Sequence, residues 1–267
     1  MKDMQNKMIV ENLVNLPYLF KYNESYNIKI NGIELNSIND VSLCTNLVIE
    51  CGGKNIYNMP FSLYTKMSQT EKNTLYFPVP GNLFEMIPIS SLKHNQVFFI
   101  LKSKSENNIH YKLHYTLIPA CHGNSYAKYL IEEYYNLPLK STSTINIPHF
   151  ENRKRSHGLY VESFEQMDGL TIEMGNGLYV KKYDTMMLKQ KIIEHGGDGY
   201  LYYLPIDDIH SQLYFIRTPS QDELSVLNSI TIDFNNSMTG MAYPAYYNNL
   251  LICNGVGYLE DPDVMSL

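Results

Sequence analysis

Residues 47–53 read Leu-Val-Ile-Glu-Cys-Gly-Gly, and residues 170–176 read Leu-Thr-Ile-Glu-Met-Gly-Asn. Both stretches have the aliphatic and β-branched residues of a strand and then reach the glycine of a tight turn. A second matching pair follows in the same order, since residues 75–79 read Leu-Tyr-Phe-Pro-Val and residues 202–206 read Tyr-Tyr-Leu-Pro-Ile. The copies lie about 125 residues apart, the length of one compact domain. The sequence therefore predicts one β-rich unit repeated in tandem.

Strand patterns and turn residues recur at short intervals in both halves, as is typical of a β-sandwich. Residues 26–35 predict a hairpin with its turn at Asn31 and Gly32, since an Asn-Gly pair favours such turns. The uniformly apolar residues 96–101 predict a strand between two sheets. The other predicted strands are residues 41–50, 75–77, 111–118, 159–164, 170–174, 200–205, 212–217 and 227–234, with a closing pair at 250–253 and 257–259.

Four segments have helical patterns. Residues 8–16 place apolar side chains at i, i+4 and i+7 before Pro17, which predicts a short amphipathic helix. Residues 61–67 and 185–193 predict short helices at the same point of each half. Residues 125–135 predict a further helix near the middle of the chain.

The composition favours a folded protein without disulfide bonds. The chain has 267 residues, 44% of them hydrophobic, which is enough to form the cores of two domains. Its four cysteines show no paired spacing and follow no secretory signal, which favours a reducing compartment. No apolar stretch approaches the ~20 residues that span a bilayer, so we expect a soluble chain. The net charge of -6 argues against a protein that coats nucleic acid.

Five stretches together resemble the double jelly-roll capsid proteins of large DNA viruses and their relatives: residues 47–53, 75–80, 84–92, 96–101 and 158–176. The resemblance implies an all-β fold of two tandem jelly-roll β-sandwiches with short helical insertions. In that family, two eight-stranded jelly rolls stand side by side in each chain. Three chains form a pseudo-hexagonal building block that tiles an icosahedral shell.

The domain boundaries that we expect follow from the repeat and from the turn-rich middle segment. Residues 1–25 form an N-terminal arm, and residues 26–140 form the first jelly roll. Residues 141–157 form a connection, which contains the basic cluster at residues 153–155. Residues 158–267 form the second jelly roll.

The function that the resemblance implies is that of a viral structural protein, of capsid or capsid-scaffold type. Its expected partners are two further copies in a homotrimer, other capsid components, and an underlying membrane reached through the N-terminal arm, with no direct contact to nucleic acid. Its expected location is the virion, after assembly in the host cytoplasm. The acidic residues 260–263 are a second candidate for contacts with neighbouring subunits.

A carbohydrate-binding or receptor-binding β-sandwich is the alternative function. Exposed aromatic side chains can stack on sugar rings, and the chain has 23 tyrosines. It has no tryptophan, the residue whose flat indole ring usually forms such platforms. A jelly-roll enzyme is a third possibility, which bound metal would reveal.

No catalytic, cofactor-binding or metal-binding residues are predicted, and we expect that the protein is not an enzyme. Cys121 and His122 are neighbours, and neighbours on a strand point to opposite faces, so they do not form a catalytic pair. His94 is the partner that folding could bring to Cys121. The remaining possible metal ligands, which show no clustered spacing, are Asp198, Asp207, Asp208 and His210.

Two other features of the sequence have structural interpretations. Glu50 and Glu173 occupy the same place in the two copies, so we expect a repeated structural role at a strand end. The glycines at residues 52–53 and 196–199 lack the helix and lysine of a phosphate loop, and we interpret them as turn residues.

Overall fold

The computed structural model describes residues 6–14, 16–68, 74–80, 86–104, 109–120, 126–147, 155–174, 177, 179–196, 199–205 and 230–259. Contacts within the chain divide it into two compact units. Unit 1 contains the described residues up to Glu133 together with those from Asn248 to Leu259. Unit 2 is the segment Tyr134–Tyr247.

The first eight strands of unit 1 pair in two groups of four. The strands are β1 (Lys7–Val14), β2 (Tyr18–Phe20), β3 (Tyr26–Leu35), β4 (Cys44–Cys51), β5 (Lys54–Pro60), β6 (Tyr76–Pro78), β7 (Val97–Ser103) and β8 (His110–Pro119). The strand order is β1-β8-β3-β6 in one sheet and β2-β7-β4-β5 in the other, with antiparallel pairing between these neighbours. Eight antiparallel strands joined in this order form a jelly roll. The strand β9 (Tyr126–Tyr134) follows and ends at the boundary of the unit.

The core of unit 1 lies between the inner faces of these two sheets. Ile30, Ile33 and Leu35 on β3 are buried. Aromatic rings join one sheet to the other, with the ring of Phe99 on β7 at 6.2 Å from that of Tyr111 on β8. Burying these large side chains out of water provides the main driving force for the fold of this unit.

Two helices and one 3₁₀ turn connect the strands of unit 1. They are α1 (Ile38–Leu43), α2 (Phe61–Met67) and the 3₁₀ turn Ile89–Ser91. The hydroxyl of Ser37 accepts a hydrogen bond from the backbone N–H of Asn39 at 3.2 Å and thereby caps α1. The helix predicted at residues 61–67 is α2. Its buried Tyr64 donates a hydrogen bond to the carbonyl oxygen of Phe77 at 2.7 Å, which fixes α2 against β6.

Unit 2 has the same strand connectivity as unit 1, although two of its strands are long enough to take part in both of its sheets. The elements are β10 (Leu137–Ile147), β11 (Arg155–Ser163), β12 (Gly169–Met174), β13 (Tyr179–Asp184), α3 (Thr185–Lys189), β14 (Ile192–Gly196), β15 (Gly199–Pro205) and β16 (Ile230–Cys253). Residues 240–247 of β16 pair with β11, which pairs with β15. Residues 230–234 of β16 pair with β12, which pairs with β13. β10 runs beside both segments of β16, with register shifts between Leu139 and Thr144.

A buried cluster fills the interior of unit 2. Its fully enclosed members come from both sheets and from α3: Leu159, Val161, Leu170, Ile172, Leu188, Tyr202, Leu204, Ile232 and Ala242. The hydroxyl of Tyr202 accepts a hydrogen bond from the backbone N–H of Met167 at 3.1 Å, which satisfies the polar end of this large buried ring.

The repeat in the sequence corresponds to a repeat in the structure. Residues 47–53 form the end of β4 and its turn into β5 before α2, and residues 170–176 include the end of β12, the hairpin partner of β13, which precedes α3. β6, within residues 75–79, and β15, which ends at Pro205, occupy the equivalent position of the eight-strand order. The predicted all-β fold of two jelly rolls with short helical insertions is therefore confirmed.

Two predicted helices are strands. Of residues 8–16, which are predicted as a helix, residues 8–14 form most of β1, and all eight residues of that strand pair with β8. Residues 125–135 were also predicted as a helix, and they contain β9 instead. In both segments the apolar spacing fits either structure, and pairing with distant strands decides the outcome.

Two predicted turns and boundaries also differ from the structure. Asn31 and Gly32 make no hairpin turn, because β3 continues through them and only shifts register between Ile30 and Gly32. The predicted connection at residues 141–157 contains the end of β10 and the start of β11. The closing strand pair is present as the end of β16 and β17 (Val256–Leu259), and contacts assign it to unit 1. The predicted strand at residues 212–217 lies outside the described residues.

β16 must bend where it passes from one sheet of unit 2 to the other, and Gly240 lies at that point. Substitution of Gly240 therefore tests whether the bend requires glycine. Its φ is +153°, and a Cβ there would lie 2.0 Å from the backbone oxygen of Glu162. We predict that Gly240→Ala lowers the free energy of unfolding by about 2 kcal/mol or more, since backbone atoms must move to admit the methyl group. Gly177→Ala is the matched control, because Gly177 has a φ of +86° with no atom near the added Cβ. Urea unfolding followed by circular dichroism measures the free energy of unfolding of both variants. An equal loss of stability in the two variants would contradict a requirement for glycine at the bend of β16.

Candidate functional site

The two buried cysteines, Cys44 and Cys51, are not placed for nucleophilic chemistry. Burial, with a smaller contribution from Asp40, raises the pKa of Cys44 to about 12. Burial, with a smaller contribution from Glu50, raises the pKa of Cys51 to about 11. Both thiols are therefore protonated at neutral pH, and the thiolate is the reactive form. Cys121 and His122 lie outside the described residues.

The other sequence-level candidates do not assemble into a site within the described part of the chain. No group of three or more His, Cys, Asp or Glu side chains there is arranged to hold a metal ion. His94 uses its backbone N–H to bind the carbonyl oxygen of Gly255 at 2.8 Å. Asp198, Asp207, Asp208 and His210 lie outside the described residues.

The repeated glutamates and the glycines lie where the repeat predicts them. Glu50 on β4 and Glu173 on β12 are half-buried and lie one residue before the last residue of each strand. Gly52 and Gly53, with φ of +58° and +80°, form the turn between β4 and β5. Positive φ values are readily accessible to glycine, so the structure supports a turn rather than a phosphate loop at this position.

A polar cluster that the sequence analysis missed lies on the outer face of the β1-β8-β3-β6 sheet. The Glu34 carboxylate accepts from Lys112 Nζ at 2.6 Å with one oxygen and contacts His114 Nε2 at 3.1 Å with the other. The ring of Tyr76 packs edge-on against that of His114, with centroids 4.9 Å apart. The hydrogen bond from Lys112 is the main cause of a lowered Glu34 pKa. The facing positions of Glu34 and Lys112 on neighbouring strands are the sequence signal, and it becomes visible only once the register is known.

This polar cluster joins strands, and its groups are already engaged. A cleft of about 390 Å³ beside it is lined by Glu34, Leu35, Asn36, Thr74, Leu75 and Tyr76. The hydroxyl of Tyr76 donates to the carbonyl oxygen of Asn31 at 3.3 Å, and that of Thr74 donates to the carbonyl oxygen of Tyr76 at 3.4 Å. With these groups and Glu34 bound within the protein, the arrangement fits a device that fixes strand register rather than a ligand site.

Exposed apolar side chains lie on and between the two N-terminal strands. β1 and β2 are the terminal strands of the two sheet orders of unit 1 given above. Met8 and Val10 on β1 point outward with Met8 69% exposed, and Leu16 between the strands is 61% exposed. Leu19 on β2 is also exposed. Strands at a sheet edge offer backbone groups to a further chain, and exposed apolar side chains add to that tendency. We call Met8, Val10, Leu16 and Leu19 the N-terminal edge surface.

More than half of the tyrosines whose burial the structure describes lie in the core. Ten of those that the structure describes are buried: Tyr57, Tyr64, Tyr111, Tyr115, Tyr134, Tyr160, Tyr183, Tyr202, Tyr243 and Tyr246. Burial raises the pKa values of Tyr64, Tyr111 and Tyr246, which keeps these phenols neutral. Rings buried in this way provide no exposed surface for stacking on a sugar.

Comparison with solved structures gives matches across nearly the whole chain. No family model and no curated protein matches the sequence. A quasi-atomic model of the PBCV-1 virus capsid matches with a TM-score of 0.57 at 10% identity, covering 98% of each chain. The major capsid protein P2 of bacteriophage PM2 matches with a TM-score of 0.52 at 8% identity, covering 97% of this chain and 99% of that one. The STIV MCP matches with a TM-score of 0.52 at 12% identity, covering 92% and 97%.

This chain has the double jelly-roll fold. The matched proteins are double jelly-roll major capsid proteins, and the matches cover both units of this chain. The suggested resemblance is thereby confirmed at the level of the fold, which is what similarity at 8–12% identity establishes. Among the described residues of this double jelly roll, no helix has the length and apolar character to cross a membrane.

Thiol reactivity provides a test of the protonated, buried cysteines. We predict that Cys44 and Cys51 resist iodoacetamide in the folded protein at pH 8 and become modified only on unfolding, because burial keeps both thiols protonated. Peptide mass spectrometry with and without urea measures the modification at each position. Cys253, which is partly exposed, is the internal comparison. Rapid labelling of Cys44 or Cys51 in the folded state would contradict their assignment as core residues.

The stabilising effect of the Glu34 carboxylate predicts a defined pH dependence. Because the folded-state pKa of Glu34 is lowered below 4.5, its stabilisation is present above about pH 4.5 and is lost as the pH falls through the folded-state pKa. We predict that Glu34→Gln lowers the free energy of unfolding at pH 7 by at most about 1 kcal/mol, as expected for a partly exposed ion pair. The difference in free energy of unfolding between Glu34→Gln and the unmodified protein then becomes smaller in acid. Urea unfolding at pH 7 and pH 3 measures this difference, and Glu165→Gln, which alters an exposed carboxylate, is the control. A stability difference that grows in acid would contradict the assigned role of the Glu34 carboxylate.

Proposed function

We propose that this protein is a capsid structural protein that self-assembles through trimers into a viral shell. The observation that supports the proposal is the double jelly-roll fold over the whole chain, shared with major capsid proteins of PBCV-1 and bacteriophage PM2. The buried thiols and the internally satisfied polar cluster are consistent with a structural role. Its proposed location is the virion, after assembly in the host cytoplasm.

The mechanism is geometric. Each chain supplies two units with the same strand connectivity, so three chains supply six similar units. Three copies related by a three-fold axis present an outline near to six-fold symmetry, which can occupy a hexagonal lattice. Contacts in such a ring are heterologous, because one patch of a copy meets a different patch of the next, and the ring closes after three copies.

The N-terminal edge surface is the part of the protein that we assign to contacts between copies. An obligate interface often buries more than ~2,000 Å² and has an apolar centre. Met8, Val10 and Leu16 provide exposed apolar side chains beside strands that end the sheet orders of unit 1 among the described residues. Association would remove this apolar surface from water and would cover an edge that otherwise favours aggregation.

Further partners are proposed from the same role. Other capsid components would bind outside the trimer, and an underlying membrane would be reached through the N-terminal arm, residues 1–25. Within that arm, β1 and β2 are bound in the sheets of unit 1. The net charge of -6 argues against direct binding of nucleic acid.

The solution mass of the purified protein tests the proposed trimer. We predict three times the chain mass of 30.9 kDa by light scattering, and a hexagonal outline of the same fraction in negative-stain images. A monomer at tens of micromolar would overturn the trimer.

Substitutions in the N-terminal edge surface test where the copies meet. We predict that Val10→Lys together with Leu16→Lys raises the trimer dissociation constant at least 30-fold, because each lysine must be desolvated in the interface. Ile38→Lys is the matched control, since Ile38 is 65% exposed on α1 of the same unit and lies outside the N-terminal edge surface. Thermal melting confirms that all variants fold. Equal weakening by the control, or no weakening by the double variant, would remove this surface from the interface.

A further inference from the structure

The end of the described chain returns to the unit in which the chain began. β16 is part of unit 2 as far as Tyr247, and from Asn248 onward the chain is part of unit 1. Residues 250–253 pair with β17 around a turn at Asn254 and Gly255, whose φ values are +50° and +83°. Two successive positive φ values are the signature of a type I′ turn, which matches the twist of a hairpin. We call residues 248–259 the C-terminal hairpin.

The C-terminal hairpin binds a specific surface of unit 1, which we call the socket: Cys51, Gly52, Leu92, His94 and Asn95. The backbone N–H of His94 donates to the carbonyl oxygen of Gly255 at 2.8 Å. The backbone N–H of Gly257 donates to Asn95 Oδ1, also at 2.8 Å. A Cβ at Gly257 would lie 2.6 Å from Leu92 Cδ2 and 3.3 Å from Cys51 Sγ. The hairpin backbone therefore lies directly against the socket.

The C-terminal hairpin is part of the core of unit 1. Leu250, Leu251 and Ile252 are buried in succession. Successive side chains on a strand point to opposite faces, so both faces of this segment are covered. Val256 and Tyr258 on β17 remain exposed. Undocking would expose apolar residues of the hairpin and of the socket together.

Asn95 connects the C-terminal hairpin to the turn between β4 and β5. Its Oδ1 binds Gly257, and its Nδ2 lies so close to Gly52 that a Cβ there would be 2.1 Å away. The N–H of Gly52 in turn donates to the carbonyl oxygen of Gln96 at 3.0 Å. Without the hairpin, Asn95 Oδ1 and the N–H of His94 lose the partners described above, so these two hydrogen bonds depend on docking of the hairpin.

We propose that the C-terminal hairpin is a clasp that closes unit 1 only after unit 2 has been made. All of Tyr134–Tyr247 precedes the hairpin along the chain, and chains are synthesised from the N-terminus. Unit 1 therefore remains incomplete until residue 259 has been added. A chain that ends early, or fails to dock its hairpin, presents an open socket. The proposal is independent of the capsid role, because it rests on contacts within one chain.

Hydrogen exchange on the full-length protein tests the clasp from both sides. Gly257→Val places a bulky side chain where a Cβ would already lie 2.6 Å from Leu92 Cδ2, and Asn95→Ala removes the hydrogen-bond acceptor on the socket. For both variants, we expect at least 10-fold faster exchange at residues 51–54, 92–96 and 250–258, with exchange in β11, β12 and β15 unchanged. Val256→Ala is the matched control, because it alters an exposed side chain of the same hairpin. Unchanged exchange in both variants, or an equal loss of protection in the two units, would overturn the clasp.

A covalent lock gives a second test, with a substitution at the same position that is smaller than valine. Gly257→Cys would place a thiol beside Cys51, and under mild oxidation we expect a disulfide within one chain that further slows exchange in the socket. A second preparation mixes Gly257→Cys/Cys51→Ser chains with unmodified chains, so that this disulfide can form only between copies. Val256→Cys is the control, with its side chain facing solvent. Failure of the lock within one chain, or efficient linkage of residue 257 to Cys51 of another copy, would overturn closure by the chain's own hairpin.

Discussion

The double jelly roll depends on one constraint, which is that each sheet can bury its inner face only against a partner sheet. In unit 1 the inner residues of β3 and β8 meet those of β4 and β7, and the ring of Phe99 lies 6.2 Å from that of Tyr111. A single four-stranded sheet would leave this face in water. The connection order follows from the same requirement, because most consecutive strands of unit 1 lie in different sheets, with β4 and β5 as the exception, and so bring both faces together. The helices then occupy the crossings, as α2 does through the hydrogen bond from Tyr64 to Phe77.

The two units satisfy this constraint in different ways. Unit 1 uses separate strands for its two sheets, whereas β10 and β16 of unit 2 each pass from one sheet to the other. A strand that serves two sheets must bend, and Gly240 with its φ of +153° lies at that point of β16. The duplicated connectivity is therefore compatible with divergent local solutions. This explains why similarity between the halves survives in short stretches, such as residues 47–53 and 170–176, rather than along their full length.

Much of the fold could be predicted from the sequence where one local pattern dominates. Residues 170–174 were predicted as a strand and form β12 almost residue for residue, because branched aliphatic residues alternate there and turn residues follow. The helix at residues 61–67 could equally be predicted from the sequence. β1 could not be predicted as a strand, because its apolar spacing fits a helix or a strand and only pairing with β8 decides between them. β13 was also missed, since Lys181 and Lys182 interrupt its apolar pattern.

The functional features were harder to predict, because they depend on contacts between distant parts of the chain. Glu34 and Lys112 are 78 positions apart, and only the β3–β8 register makes them neighbours. The hydrogen bond from Gly257 to Asn95 spans 162 positions and joins a hairpin to a loop that sequence order assigns to different halves. Such contacts close very long loops. Because the entropic cost of closing a loop grows only slowly with its length, these contacts lower the stability little, although they slow folding. A protein built from non-local strand pairs can thus divide into units by contacts that differ from the halves of its sequence. In this chain, the unit that begins first along the sequence is the one that is completed last.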